Sequence, residues 1–349
     1  MTAPIAQITE LQPNTLSVQA TVALNQGAER AANLRQTIEQ VIDQIDWQAP
    51  THVLIKPNLV KVECAIANTH REALATVLAC VRDRYQGRLT VAEGCAVSAT
   101  GRAFALHRYA DLAQQYGAAL LDLNDDAGVD VCVLDRHAKP MQLQIARTAL
   151  ESDCRISLSL PKTHDAVIAT ASIKNIIMGS LVNRRLAAPG CRRAYWLDRL
   201  GQMALGHGNG WGSDKVAMHQ PYPIMNINLA LLAPLLWPHL SILDGFVAME
   251  GAGPIEGEPV HWGIALAGAD ALAVDSVAVR HMGFEVAEIG YLHYCAQMEL
   301  GVSNPAQIAL VGNVDTVRVQ RSFRRHPTHA AQSQWHHPRS TELLQTVVR

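Results

Sequence analysis

What most constrains this chain is a rhythm: short β-branched and apolar runs alternate with longer segments of helical period along most of the 349 residues. Runs of about four to eight such residues make strands, a period near 3.6 makes helices, and their alternation builds βαβ units. The expected fold class is α/β, with a mainly parallel or mixed sheet flanked by helices on both faces. Strands are expected at 5–9, 52–55, 88–92, 118–123, 155–160, 239–243, 263–267 and 307–311, and helices at 28–45, 71–85, 101–116, 224–236, 270–282 and 286–300. Asn68 and Thr69 are candidate caps for the helix after them, and Asp270 reads as an N-cap.

Composition agrees with a packed core. The chain is 49% hydrophobic and 17% charged, and 29 basic against 31 acidic residues leave a net charge of −2. No field of one sign is present to gather nucleic acid or an anionic membrane, so neither is an expected partner. The longest apolar run, 229–238, is far below the roughly 20 residues of a membrane span and contains Pro234. The start, MTAPIAQITELQPN, lacks the cationic and apolar stretches of a secretory signal. Seven cysteines, at 64, 80, 95, 132, 154, 191 and 295, show no CxxC spacing, which fits reduced thiols in a cytoplasmic protein. One large α/β domain is expected over 1–317, with 183–222, rich in Arg, Gly, His and Trp, as an inserted loop or lid. A basic, His-rich tail at the surface is expected over 318–349.

In open α/β sheets, ligands bind beyond the carboxyl ends of the strands. Here those ends are polar: Lys56 and Asn58, then Glu93, then Lys162 and His164, and later Asp244. A single strand-end lysine most often turns to solvent. Several polar ends converging at one sheet edge instead supply the cations and proton-transfer groups of a site. Lys174 and Asn175 open an apolar run, and a helix beginning near Ala171 would aim its amide dipoles and Lys174 at the same pocket, forming an anion site.

The glycine-rich stretch 250–259, EGAGPIEGEP, lets backbone approach a ligand around Gly253 and Pro254, without the Lys-Ser/Thr of a phosphate loop. Asp275 lies inside an apolar helix, where a carboxylate needs partners. Among the histidines none shows HExxH spacing. The candidate metal ligands are His219 and Glu250, with His164 and Asp244 able to complete a shell.

These stretches, IKPNL (55–59), AEG (92–94), LPKTH (160–164), SIKN (172–175), LDG (243–245), GAGPIEGEP (251–259) and AGADALAVDSVAVRHMGF (267–284), resemble domain of unknown function family 362 over roughly 260 residues. The resemblance implies an α/β domain and a shared polar site. Lys56 and Asn58 match its first strand-end motif, and Lys162 or Lys174 with His164 match its Lys-Thr-His and Lys-Asn pairs. Asp244, Gly253, Pro254, Asp270 and Asp275 match its later motifs, and His219 matches the histidine after its central loop. This chain has PKTH without a further preceding lysine, and Thr69, His70, Arg71 where relatives often carry Thr-x-Pro. Many relatives append a ferredoxin-like cysteine cluster, which is absent here, so redox chemistry would need a separate electron-transfer protein as partner.

The resulting expectation is an enzyme acting on an anionic small molecule or cofactor of unknown identity. Lys162, His164, Lys174 and Asp244 would be catalytic. Lys56, Asn58, Glu93, Asn175, Gly253, Pro254 and Asp275 would bind the ligand, and His219 and Glu250 would hold any metal. The alternative is an accessory module that binds a metal or cofactor and delivers it to a partner enzyme.

Overall fold

Neighbouring residues of 52–56 feed two different cores: Val53 and Ile55 pack into one apolar layer and Leu54 into the other. The same two-residue period sends Ala265 and Ala267 to one side and Ile264 and Leu266 to the other. A strand apolar on both faces must be covered on both, and helices do so here. The computed structural model describes residues 19–183 and 213–345.

The strands are β1 (Ala20–Gln26), β2 (His52–Lys56), β3 (Arg88–Glu93), β4 (Ala119–Asp122), β5 (Gly128–Leu134), β6 (Pro140–Ala146), β7 (Cys154–Ser159), β8 (Lys162–His164), β9 (Ile168–Thr170), β10 (Leu240–Glu250), β11 (Glu258–Gly268) and β12 (Ile308–Val311). The helices that matter below are α1 (Arg30–Glu39), α2 (Arg71–Arg82), α3 (Thr100–Leu106), α4 (Tyr109–Gln115), α5 (Arg147–Glu151), α6 (Ser172–Ser180), α7 (Asp214–Ala217), α8 (Tyr222–Leu236), α9 (Ala271–His281) and α10 (Gly290–Gln297). The main sheet runs in the order β12-β1-β11-β10-β7-β2-β3-β4, parallel except where β11 pairs β1 and β10. It is the mixed, mostly parallel sheet expected. The residues of α1, α2, α3 and α4 cover one face, and those of α6, α8, α9 and α10 the other.

Several expectations change. The strand expected at 5–9 and most of the lid expected at 183–222 lie outside the described residues. Strand β1 was not foreseen, nor was the β5–β6 hairpin, which forms its own two-stranded sheet and is tied to α8 by Asn228 bonding both the N–H and C=O of Leu134 (2.9 and 2.8 Å). The helix expected at 101–116 breaks at Arg108, whose φ of 53° is left-handed. Asn68 and Thr69 do not cap α2. Asn68 instead bonds Val60 N–H and Lys61 O, Thr69 bonds Asn58 N–H and Leu158 O, and His70 accepts from Glu72 N–H in the cap position. These bonds pin the loop after β2. Asp270 does cap α9, accepting from Ala273 N–H.

The stretch from 318 onward does not behave as a surface tail. Val319, Phe323, Trp335 and Leu343 are buried, Trp262 donates its indole N–H to Val319 O (2.7 Å), and its ring lies 4.9 Å from that of Phe323. Apolar side chains spaced through a basic segment were enough to return it to the core, since each large one buried contributes about 1.5–3 kcal/mol. No helix among the described residues is long and apolar enough to cross a membrane.

Candidate active site

Helix α6 is fixed before anything else at the site can be. Its first amides, Ser172 and Ile173, donate to the two oxygens of Asp275 (2.9 and 3.0 Å), and Ser172 is further held by Ser157 and Ser241 from β7 and β10. Its last carbonyls, Met178 and Gly179, accept from Lys215 Nζ, each at 3.0 Å. A carboxylate at the positive end and an ammonium at the negative end each satisfy two orphan groups of the helix. Burial nevertheless lifts Asp275 to a pKa of about 7 against the pull of the two amides. This overturns two expectations. The first two α6 amides are already taken by a carboxylate, and Asp275 holds the helix from behind instead of lining the cavity.

So anchored, α6 presents Lys174, Asn175 and Met178 to a cavity of about 650 Å³. Lys56, Asn58, Glu93, Lys162, His164 and His219 also line it, with Leu59, Val97, Met141, Pro254 and Ile255 as apolar wall. A volume of this size suits a small molecule. Four loops from separate strand ends therefore meet, and the sequence-derived Lys56, Asn58, Glu93, Lys162, His164, Lys174, Asn175, His219 and Pro254 come together.

Four expected residues do not. Asp244 is not at a strand end, because β10 runs on to Glu250 through a bulge near Gly245; it pairs with Arg30 (3.1 Å) away from the cavity. Glu250 accepts from Arg324 N–H (2.9 Å), also outside the cavity. Gly253 packs on Thr163, where a Cβ would stand 2.1 Å from the carbonyl oxygen. Asp275 is the helix cap already described. Among the described residues no group of three or more His, Cys, Asp or Glu side chains could hold a metal ion.

The lysines divide by how their donors are spent. Lys56 gives its three N–H groups to Glu93 Oε2, Asn175 Oδ1 and Pro57 O, all at 2.9 Å. Glu93 also accepts from Leu59 and Gly94 N–H, so the pair is a satisfied buried ion pair in the cavity wall. Burial pushes the Lys56 ammonium down, with Glu93 opposing. Lys162, in contrast, makes a single bond among the described residues, to Ala67 O at 3.2 Å, and Lys174 a single bond, to His164 Nε2 at 2.9 Å. Lys215 spends two donors on α6. Neither Lys162, Lys174 nor Lys215 has a carboxylate in hydrogen-bond contact among the described residues. Burial lowers all three, Lys162 and Lys215 to about 7 and Lys174 to about 8, with neighbouring lysines adding to the fall for Lys162. Among the described residues that line the cavity, cations outnumber carboxylates.

Lys174 ends a chain of three groups. His164 Nδ1 is 2.9 Å from Asp165 Oδ1 and 3.0 Å from the N–H of Ala166, while its Nε2 faces Lys174 Nζ. Burial, then Lys174, holds His164 neutral, at about 3. A neutral imidazole carries one ring proton. With Lys174 charged, the ammonium donates to Nε2 and Nδ1–H donates to Asp165. With Lys174 neutral, Nε2–H can donate to the amine and Nδ1 accepts from Ala166. Burial works against ionisation of Asp165, but the bond from His164, with His219 and Lys174, keeps it below the usual carboxylate range. His219 gives Nδ1–H to Lys215 O at 2.6 Å, and burial and then Lys174 lower its pKa, so its Nε2 is left as an acceptor.

Asp165 and Lys215 were missed from sequence. Asp165 directly follows PKTH and can swing onto His164 within a hairpin turn. Lys215 and His219 are four apart in SDKVAMH, one helical turn, which was a usable signal inside a stretch of weak periodicity.

The turn that carries this chain is strained. His164 pairs with Ile168 across β8–β9, and Ile168, a β-branched residue, has φ of 66°. Such a conformation costs on the order of 1–3 kcal/mol and needs its surroundings to hold it.

Residues 53–280 match the model of a family described as Domain of unknown function (DUF362), a stretch that contains every cavity residue named above. A thylakoid-associated protein of Synechocystis sp. is 29% identical over 164 residues, 47% of this chain and 42% of that protein. The chain thus spans less than half the length of this curated relative. Among solved structures, the lactate racemase apoprotein from Thermoanaerobacterium thermosaccharolyticum aligns with 82% of this chain and 58% of its own, at 12% identity and a TM-score of 0.44.

Proposed function

The chain belongs to the family of domain of unknown function 362, and we propose that it is an enzyme that binds an anionic small molecule in the lysine-lined cavity and moves a proton through Lys174. The observation that carries this reading is the Lys174–His164–Asp165 chain, which ends at a cavity where Lys162, Lys174 and Lys215 have no carboxylate in hydrogen-bond contact among the described residues. An anion supplies the missing charge to Lys162, Lys174 and Lys215 through their unspent donors.

In the reaction, the neutral Lys174 amine accepts a proton from the bound ligand. His164 keeps its ring proton on Nδ1, bonded to Asp165, so its Nε2 accepts an N–H of Lys174 before and after the transfer and leaves the amine lone pair for the ligand. Lys162 and Lys215 stand where they stabilise the negative charge left on the ligand. A positioned acid/base group is typically worth about 10²–10⁴-fold in rate. The cytoplasm is the compartment we assign, because the cysteines at 64, 80, 95, 132, 154 and 295 are free thiols.

The test measures solvent-deuterium incorporation into a panel of small hydroxy- and oxo-carboxylates and phosphate esters, each also scored for thermal stabilisation of the full chain. The expected result is a ligand that both stabilises and exchanges one hydrogen, with exchange lost in Lys174→Met and binding weakened in Lys162→Met. Stabilisation by an anion with no exchange of any ligand overturns the enzyme and favours a module that delivers its ligand. Absence of any anion binding overturns the site itself.

A further inference from the structure

Gln332 lies 52 residues beyond the end of the family match at 280, on the short helix His329–Gln332, and is 1% exposed. Its Oε1 accepts the N–H of Ile168, the residue with left-handed backbone at the end of the turn that begins at His164. Its Nε2 donates to Thr328 Oγ1 at 2.9 Å, and that oxygen is 3.5 Å from Asp165 O. The C-terminal segment therefore grips the turn at both ends, at Asp165 and at Ile168.

We propose that Gln332 is a positioning residue for the cavity: by holding the Ile168 N–H in a conformation a β-branched residue avoids, it fixes the His164–Ile168 turn and so sets the contact of His164 with Lys174. The proposal rests on the reading of Lys174 as the proton-transfer group, but the geometry it describes is independent of any substrate. Ile168 will not stay left-handed without a partner that over-determines it. The buried amide oxygen of Gln332 is such a partner, bonding the Ile168 N–H from a segment outside the β8–β9 hairpin. Once the turn relaxes, His164 and Asp165 move with it, since they are the turn's first two residues. The charged and titratable groups that face Lys174 are His164, Asp165, His219, Lys56 and Lys162, and only the first two are carried by the turn itself.

Competitive acetylation of the full chain by acetic anhydride across a pH series, read peptide by peptide by mass spectrometry, gives the titration midpoint of Lys174 with no substrate present. Wild type is expected near pH 8. Gln332→Ala is expected to raise the Lys174 midpoint by about one pH unit as water reaches the loosened turn, with the Lys215 midpoint unmoved as an internal control. Gln332→Glu, which retains an acceptor oxygen, keeps the wild-type midpoint, and Ile168→Gly restores it in the Gln332→Ala background because glycine takes positive φ freely. Should Gln332→Ala fail to fold, Thr328→Ala, which removes only the anchor of the Gln332 amide, is expected to move the Lys174 midpoint in the same direction. An unchanged Lys174 midpoint, or a shift shared equally by Lys215, overturns the positioning role. Because labelling needs no turnover, absence of deuterium exchange would sink the enzyme reading and leave this result standing, and the reverse holds equally.

Discussion

Gly179 and Lys56 are packed so closely that a Cβ on the glycine would stand 2.0 Å from Lys56 Cε, 2.1 Å from its Nζ and 2.6 Å from Glu93 Oε1. The last turn of α6 thus rests directly on the buried ion pair. Gly179→Ala must push the ammonium off Glu93 and Asn175, leaving charge buried without its partner. We expect a loss of about 3–5 kcal/mol, measured by urea denaturation. A variant as stable as wild type would mean that the pair tolerates separation.

The uncompensated lysines set the pH dependence of stability. Their folded pKa values, about 7 for Lys162 and Lys215 and about 8 for Lys174, lie below the ordinary lysine value. Between these pH values the unfolded chain binds more protons than the folded one, so stability rises as pH climbs from about 7 toward 10. An anion in the cavity favours the charged lysines, so its stabilising effect is largest below pH 7 and fades above 8. Melting temperatures with and without pyrophosphate at pH 6 and 9 test both signs, and an equal or larger pyrophosphate shift at pH 9 would contradict them.

Much of this site was legible because strand ends are legible. Lys56, Glu93, Lys162 and His164 each follow or close a short apolar run, and parallel strands deliver such residues to one edge. Asp244 was misplaced for the same reason: its apolar run LSIL stops before it, but the strand does not, since β10 pairs with β11 through to Glu250. Pairing with a distant strand decides where a strand ends, and no local pattern carries that. Asp275 was recognised as a carboxylate in need of partners, yet those partners are amides 102 and 103 residues away. The C-terminal segment was misjudged because its charge masks the few apolar side chains, Phe323 and Trp335 among them, that decide where it goes.

That segment should be required for the fold. Phe323 is 4% exposed and lies against Trp262, so Phe323→Ala leaves a cavity beside the indole. The expected cost is about 3–5 kcal/mol, seen as a lowered denaturation midpoint and a change in tryptophan fluorescence. A change within experimental error would return the segment to the surface.

Arg30 and Asp244 supply the test that separates stability from function. Asp244 is nearly buried, its pKa raised by burial and drawn back by Arg30, whose guanidinium also sits 4.9 Å from the Phe246 ring centroid. Arg30→Ala leaves the carboxylate without its charge partner, so it either remains as an unpaired buried charge or takes up a proton. The expected loss is about 3–5 kcal/mol near neutral pH. It should shrink as pH falls and Asp244 protonates, because the neutral acid no longer needs the guanidinium. Since neither residue reaches the cavity, binding of an anion to the folded variant should match wild type. Isothermal titration with pyrophosphate at a temperature where both proteins are folded decides the matter: a tenfold weaker affinity in Arg30→Ala would place Asp244 back among the residues of the site.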